Sequence, residues 1–110
     1  MRSRAEICAG VCGFATTVVA DAPDEQMVAL TITTNCDTIA RLAEALMGQQ
    51  IDAYEEISKG FDGAVLSAAR AHLSGCCAGC AVPPGIFKSV QAAARVALPR
   101  SVSIELTSEP

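Results

Sequence analysis

The densest group of reactive side chains lies in the segment Gly75-Cys76-Cys77-Ala78-Gly79-Cys80, called the cysteine segment below, which holds three of the chain's six cysteines. Cys77 and Cys80 form a C-x2-C pair, and Cys76 forms a C-x3-C pair with Cys80. Thiolates at this density can hold zinc or an iron–sulfur centre, because both bind sulfur ligands well. Glycines within the segment leave its backbone free to bend around an ion. The segment therefore indicates sulfur chemistry.

Three strands are predicted ahead of the cysteine segment. Residues 4–10 and 14–20 are predicted to form a hairpin, because β-favouring side chains follow a bend bracketed by glycines. Cys12 lies at this bend, and Cys8 lies on the arm before it. Residues 27–34 alternate in hydrophobicity, which is typical of a strand with one buried face. Consecutive strands joined by short turns favour an antiparallel sheet.

The next four predicted elements are helices, at residues 36–47, 51–57, 62–73 and 84–97. Their apolar side chains recur every three or four residues, as in a helix with one buried face. Asn35 is suited to cap the first helix, and Pro84 is suited to begin the last one. A block of helices after a block of strands indicates that the two form separate layers.

A closing strand is predicted over residues 101–106, where Val102, Ile104 and Leu106 alternate with polar side chains. The predicted order of elements is therefore β-β-β-α-α-α-α-β. This order predicts an α+β two-layer sandwich, with a mainly antiparallel sheet of about four strands and the helices on one face. A chain of this length fits one domain, so residues 1–110 are expected to form a single α+β domain.

This fold predicts that several cysteines meet, because strand ends and helix starts gather at common edges of a two-layer sandwich. Cys12 lies at a hairpin bend, Cys36 lies at a helix start, and Cys77 and Cys80 shortly precede another helix. Unpaired N–H groups and the helix dipole favour a thiolate at a helix N-terminus. We therefore predict a metal site made by Cys12, Cys36, Cys77 and Cys80, which holds zinc or an iron–sulfur cluster.

The sequence leaves other roles open for individual side chains. Cysteine often behaves as a small buried hydrophobe, so Cys8 is expected in the core rather than at the metal site. Cys36 fits a core position as well as a ligand position. Cys76 or His72 can replace one of the four ligands, although a histidine on an apolar helical face is usually a hydrogen-bonded core residue.

A thiol–disulfide redox protein is a second hypothesis, because Cys77 and Cys80 have the C-x-x-C spacing of thioredoxin-like proteins. In that fold the motif follows a strand and opens a helix, whereas here it follows a predicted helix and the next one begins at Pro84. A third hypothesis is a non-enzymatic, homo-oligomeric interaction domain whose cysteines lie in its core. The sequence shows no Ser/His/Asp spacing, phosphate-binding glycine loop or H-E-x-x-H motif, and it leaves open whether the chain is an enzyme.

Composition narrows the partners and the compartment. With 51% hydrophobic and 18% charged residues the chain is too apolar to be disordered, and its low charge favours a homo-oligomer that hides apolar surface. A net charge of −4 without a basic patch argues against a nucleic-acid partner. Neither a signal peptide nor a run of about 18 apolar residues is present, so no membrane partner is expected. We expect a cytoplasmic location, where thiols stay reduced and six cysteines favour metal or redox chemistry.

Four pieces of the sequence resemble small uncharacterised cysteine-containing proteins of anaerobic bacteria and archaea. These pieces are Gly10-Val11-Cys12-Gly13-Phe14, Asn35-Cys36, Cys77-Ala78-Gly79-Cys80-Ala81-Val82-Pro83 and Ala97-Leu98-Pro99. The resemblance assigns no activity or cofactor to any residue. It implies an oxygen-poor cytoplasm, in which iron–sulfur chemistry is common.

Overall fold

The computed structural model describes residues 1–110, and its first three strands follow the hydrophobic alternation of the sequence. Strands β1 (Arg2–Cys8), β2 (Ala15–Asp21) and β3 (Met27–Thr34) pair antiparallel in chain order. A short strand, β4 (Gln50–Asp52), pairs antiparallel with β3 and completes a sheet of order β1-β2-β3-β4. Every second side chain of β2 and β3 is buried, so one face of the sheet carries the core.

Four helices cover that face: α1 (Asp37–Leu46), α2 (Ala53–Lys59), α3 (Ala64–His72) and α4 (Val82–Ala93). Helix α4 packs on β1 and β2, α1 packs on β3, and α3 contacts both of these helices. Short 3-10 turns lie at Gly10–Cys12, Gly60–Asp62 and Gly75–Gly79. The predicted α+β fold, with an antiparallel sheet of four strands and helices on one face, is confirmed. No helix has the length and apolar content that crossing a membrane requires.

The predicted order of elements is wrong in its fourth strand. Residues 101–106 form no strand, and Val102, Ile104 and Leu106 are 62%, 77% and 91% exposed. The fourth strand is instead β4, within the segment predicted as the second helix. It forms because pairing with β3 sets Ile51 opposite Val28 and buries both side chains. The observed order is β-β-β-α-β-α-α-α.

Helix α4 packs closely against β1 at Gly85. A Cβ at Gly85 would clash with the end of the Ile7 side chain, so a larger residue there would force Ile7 to move. One turn further along, the Ser3 hydroxyl donates a hydrogen bond to the carbonyl of Ser89 at 2.7 Å. Because Gly85 faces Ile7 and Ser89 faces Ser3, α4 runs antiparallel to β1. Its first residues therefore lie at the end of the sheet where β1 ends.

Glu56 links α2 to α3 through a buried carboxylate. Only 3% of Glu56 is exposed, and its two oxygens accept the backbone N–H groups of Ala64 and Val65 at 2.7 and 2.8 Å. These are the first N–H groups of α3, which have no partner within the helix. Gly63 makes room for the carboxylate, because a Cβ there would lie 2.8 Å from the Glu56 oxygen Oε2. Glu56 therefore lies on the buried side of α2, whereas its neighbour Glu55 is exposed.

Replacing Glu56 by glutamine is expected to lower the free energy of unfolding by about 1–3 kcal/mol, since the amide group turns a donor towards buried N–H groups. Urea unfolding should show a lower midpoint with an unchanged m-value. The matched control is Glu55→Gln, at an exposed carboxylate next in sequence, whose effect should stay within about 0.5 kcal/mol. Equal effects of the two changes would contradict the capping role.

Asp52 gives a pH-dependent contribution to stability. Its pKa lies below the ordinary value of 3.8, chiefly because the Gln26 amide donates to it, and also because it caps α2 by accepting the N–H groups of Glu55 and Tyr54. A lowered folded-state pKa stabilises the fold above pH 3.8, and this contribution disappears as the pH falls through the folded value. Asp52→Asn should therefore have a lower melting temperature than wild type at neutral pH, and this difference should disappear in acid.

Thermal unfolding of both proteins between pH 7 and pH 2 measures the contribution of Asp52. Glu44→Gln is the control, because Glu44 is exposed on α1 and makes no hydrogen bond or ion pair. A difference in melting temperature between wild type and Asp52→Asn that stays constant down to pH 2 would contradict the assignment.

Candidate functional site

A largely apolar cavity of about 280 Å³ lies between α1, the hairpin bend of β1 and β2, and the cysteine segment. Five of the six cysteines line it: Cys12, Cys36, Cys76, Cys77 and Cys80. The remaining wall is built mainly from apolar side chains, and no charged side chain contributes to it. The structure therefore brings all four predicted ligands to one cavity, from three separate parts of the chain. Whether they bind a metal stays a prediction.

The position of Cys36 is set by the end of β3. It is the N-cap residue of α1, with extended backbone angles of φ −97° and ψ 122°, and its thiol caps no backbone N–H. Its own N–H donates to the Thr34 hydroxyl at 3.1 Å. The sequence predicts that Asn35 caps α1. That assignment is wrong, because the Asn35 side chain instead accepts the N–H of Ala15 at 2.9 Å and ties β3 to β2.

Cys77 and Cys80 are held by backbone hydrogen bonds of the cysteine segment. The N–H of Cys80 donates to the carbonyl of Cys77 at 3.1 Å, which closes the loop between them. The N–H of Val82 then donates to the sulfur of Cys80 at 3.4 Å. Such a bond stabilises negative charge on sulfur, and comparable bonds tune the sulfurs of iron–sulfur sites. Helix α4 begins at Val82 rather than at Pro84 as predicted, so Cys80 lies closer to a helix start than expected.

Cys12 lies in the 3-10 turn that joins β1 to β2. Gly10 and Gly13 flank it with φ of +81° and +74°, which side chains other than glycine adopt only at a cost. The N–H of Gly13 closes the turn on the carbonyl of Gly10 at 2.9 Å. Because Cys12 is exposed and also lines the cavity, it lies at the cavity rim.

The thiols influence one another electrostatically. Burial raises the pKa of Cys77 above its ordinary value, and the neighbouring sulfurs of Cys76, Cys12 and Cys36 raise it further. A thiolate at Cys77 is therefore unfavourable unless a cation compensates its charge. All six cysteines are free thiols, and no group of three or more His, Cys, Asp or Glu side chains is arranged to hold a metal ion. The thiols share a cavity wall without pointing at one common centre.

The remaining candidate residues differ in their relation to the cavity. Cys8 is exposed at the end of β1 and does not line the cavity, so its predicted core position is wrong. His72 is the last residue of α3, is exposed, and also lies outside the cavity wall, so its predicted place on the apolar helix face is wrong. Cys76 lines the cavity and is exposed. Of the two proposed replacement ligands, only Cys76 lines the cavity.

Residues 3–106 match the model of a protein family described as a family of unknown function (DUF6951). No curated protein and no solved structure matches the chain. The comparison agrees with the resemblance to uncharacterised proteins and adds no organism, ligand or activity.

In the metal-free folded protein, Cys77 is expected to react with iodoacetamide several-fold more slowly than Cys8 at neutral pH. Burial keeps Cys77 protonated by raising its pKa and also limits access, whereas Cys8 is exposed. Timed labelling followed by peptide mass spectrometry measures both rates in one sample. Unfolding in urea is the control and should make the two rates similar. Equal rates in the folded protein would contradict the described environment of Cys77.

Proposed function

The chain belongs to this family of unknown function, and we propose that it binds a metal ion or an iron–sulfur cluster through Cys12, Cys36, Cys77 and Cys80. The observation that carries the proposal is the meeting of these cysteines at one cavity from three distant parts of the sequence. Cysteines that served only as core residues would have no reason to share one solvent-connected wall. Soft sulfur ligands in this number suit zinc or iron–sulfur centres.

The electrostatics of the cavity support a bound cation. Several thiolates in an apolar cavity repel one another, and no lysine or arginine lines the wall to compensate them. A metal ion or a cluster supplies that positive charge and deprotonates its ligands on binding. The hydrogen bond from the Val82 N–H to the Cys80 sulfur would then stabilise a metal-bound thiolate.

Binding requires the thiols to turn towards a common centre, and the surrounding backbone allows this. Cys12 lies in a turn bracketed by glycines, and Cys77 lies in a segment that begins with Gly75 at φ +61°. Zinc would need four sulfurs about 2.3 Å from one ion, whereas an iron–sulfur cluster would span more of the cavity. Both centres remain within the proposal, with a role in structure, electron transfer or delivery of the bound centre.

A thiol–disulfide redox function is the second candidate. It is favoured by the start of α4 only two residues after Cys80, which puts the C-x-x-C pair closer to a helix start than predicted. It is disfavoured at Cys77 because a raised pKa leaves little thiolate to attack a disulfide. Either function would operate in a reducing compartment such as the cytoplasm, which we propose as the location.

Purification without oxygen, followed by metal analysis, acid-labile sulfide analysis and a visible spectrum, tests the proposal. We expect a stoichiometric centre: iron with labile sulfide and visible absorbance for a cluster, or colourless zinc. Cys77→Ser and Cys80→Ser should each weaken binding by at least about the 10–100-fold that losing a supporting residue of a metal site causes. Cys12→Ser and Cys36→Ser should weaken it as well.

Cys8→Ser is the matched control, because Cys8 is a free cysteine outside the cavity, and its metal content should equal that of wild type. Cys76→Ser tests whether Cys76 is a ligand. If this variant loses as much metal as Cys77→Ser does, Cys76 takes the place of Cys77 or of another assigned ligand. Equal metal content in all variants would overturn the ligand assignment. Metal-free protein with six titrating thiols would overturn metal binding, and a reversible two-electron titration of that protein would establish the redox alternative.

A further inference from the structure

We propose that residues 101–106 of one copy of this chain, called the tail strand below, add to the free edge of β1 in a second copy. The tail strand has the alternation of a half-buried strand, yet Val102, Ile104 and Leu106 are largely exposed. Three exposed aliphatic side chains on the same side of a short extended segment form an apolar surface that a partner can bury. The match to the family model extends through residue 106, so it includes the whole tail strand.

The edge of β1 offers the backbone groups that such a strand needs. At the two ends of the β1–β2 ladder, Ala22 donates to Met1 and Ala9 donates to Phe14. Hydrogen bonding in an antiparallel pair involves alternate residues, so the odd-numbered residues of β1 bond to β2. The N–H and C=O groups of Arg2, Arg4, Glu6 and Cys8 therefore point away from the sheet.

The two edges of the sheet differ in how they are protected. Strand β4 has three residues and is too short to template a long pairing. Strand β1 has seven residues, contains no proline and lies at the other edge. Charged side chains on its open face protect this edge in part, but its outward backbone groups have no partner within the chain and can pair with another strand. The tail strand, with six residues, matches β1 in length.

The side chains of the two strands also match. On the helix-covered face β1 carries Ala5 and Ile7, which are half-buried and can extend their contact with an apolar strand beside them. On the open face it carries Arg2, Arg4 and Glu6. Arg4 already pairs with Glu6 at 2.9 Å, which leaves Arg2 as the partner beside which Glu105 would lie. Opposite charges on neighbouring strands are favourable, and the apolar side chains of the tail strand would face the helix layer.

A second copy is the occupant that the course of the chain favours. The molecule extends 49 Å along its longest axis but only 26 and 24 Å along the others, and the tail strand is exposed along its whole length. Beyond α4, Arg95 adopts φ +61° and pairs with Glu25 at 3.0 Å, and no later residue belongs to a helix or strand. Two copies can exchange their tail strands reciprocally, and this gives a closed dimer with two identical contacts.

Light scattering coupled to gel filtration tests the proposal on the full chain. Wild type is expected to have the mass of a dimer, and the double variant Val102→Glu/Ile104→Glu is expected to have half that mass. Ser103→Glu is the matched control: it adds charge on the opposite side of the tail strand and should leave the dimer intact. Circular dichroism and urea unfolding should show that each variant keeps its fold.

The edge of β1 is tested by Arg4→Pro, which removes an outward N–H and leaves the bonds to β2 in place. It should halve the mass, whereas Arg4→Ala, which keeps the N–H, should not. If Arg4→Pro fails to fold, hydrogen exchange on wild type replaces it, with protection expected at the amides of Arg4 and Glu6. A wild-type monomer, a dimer that survives the tail variant, or protected tail amides in a monomer would each overturn the proposal.

Discussion

Helix α4 lies so close to β1 that Gly85 has no room for a side chain beside Ile7. This contact, with the hydrogen bond from Ser3 to the Ser89 carbonyl, fixes both the position and the direction of the helix. The N-terminus of α4 then lies beyond Ile7. In the sheet Ile7 pairs with Thr16, and Thr16 pairs with Thr34, so this row marks the end at which β1 and β3 stop and β2 starts. Each of these three strand ends leads to or from a cysteine of the cavity.

The convergence of the cysteines could be predicted because it depends on topology rather than on side-chain detail. Cys12 had to lie near the row of Ile7 and Thr16, since a hairpin bend stays beside its two strands. Cys36 had to lie near Thr34, two residues before it. The placement of Cys80 depends on α4 running antiparallel to β1. A single sequence does not reveal that Gly85 contacts β1, so this direction could not be predicted.

The predicted core position of Cys8 is wrong because alternate side chains of β1 point to opposite faces of the sheet. Ser3, Ala5 and Ile7 face the helices, so Cys8 shares the open face with Arg4 and Glu6. Those two charges were visible in the sequence, and they mark the even-numbered face of β1 as the exposed one. His72 was misplaced for a different reason: the buried stripe of α3 ends with Ala69, and the next buried side chain, Leu73, follows the end of the helix.

The fourth strand shows that hydrophobic alternation alone does not decide which segment pairs in the sheet. Residues 101–106 alternate more regularly than the three residues of β4, yet only β4 pairs within the chain. A strand forms where a neighbour supplies hydrogen-bond partners, and β3 supplies them for Gln50–Asp52 directly after α1 returns along the sheet. Asp52 then ends the strand by capping α2. Alternation therefore identifies a segment that is able to pair, whereas the partner depends on the surrounding fold.

The composition of the cavity limits which states of the site are stable. Its wall is apolar and carries five sulfurs without a basic side chain, and burial raises the pKa of the Cys77 thiol. The same wall would favour a soft cation strongly once the thiols deprotonate, because little water competes for it. A disulfide would also use these sulfurs, but one disulfide takes up only two of the five that line the cavity. The proposed centre would use four of the five sulfurs at once, whereas a single dithiol would leave three of them without a role.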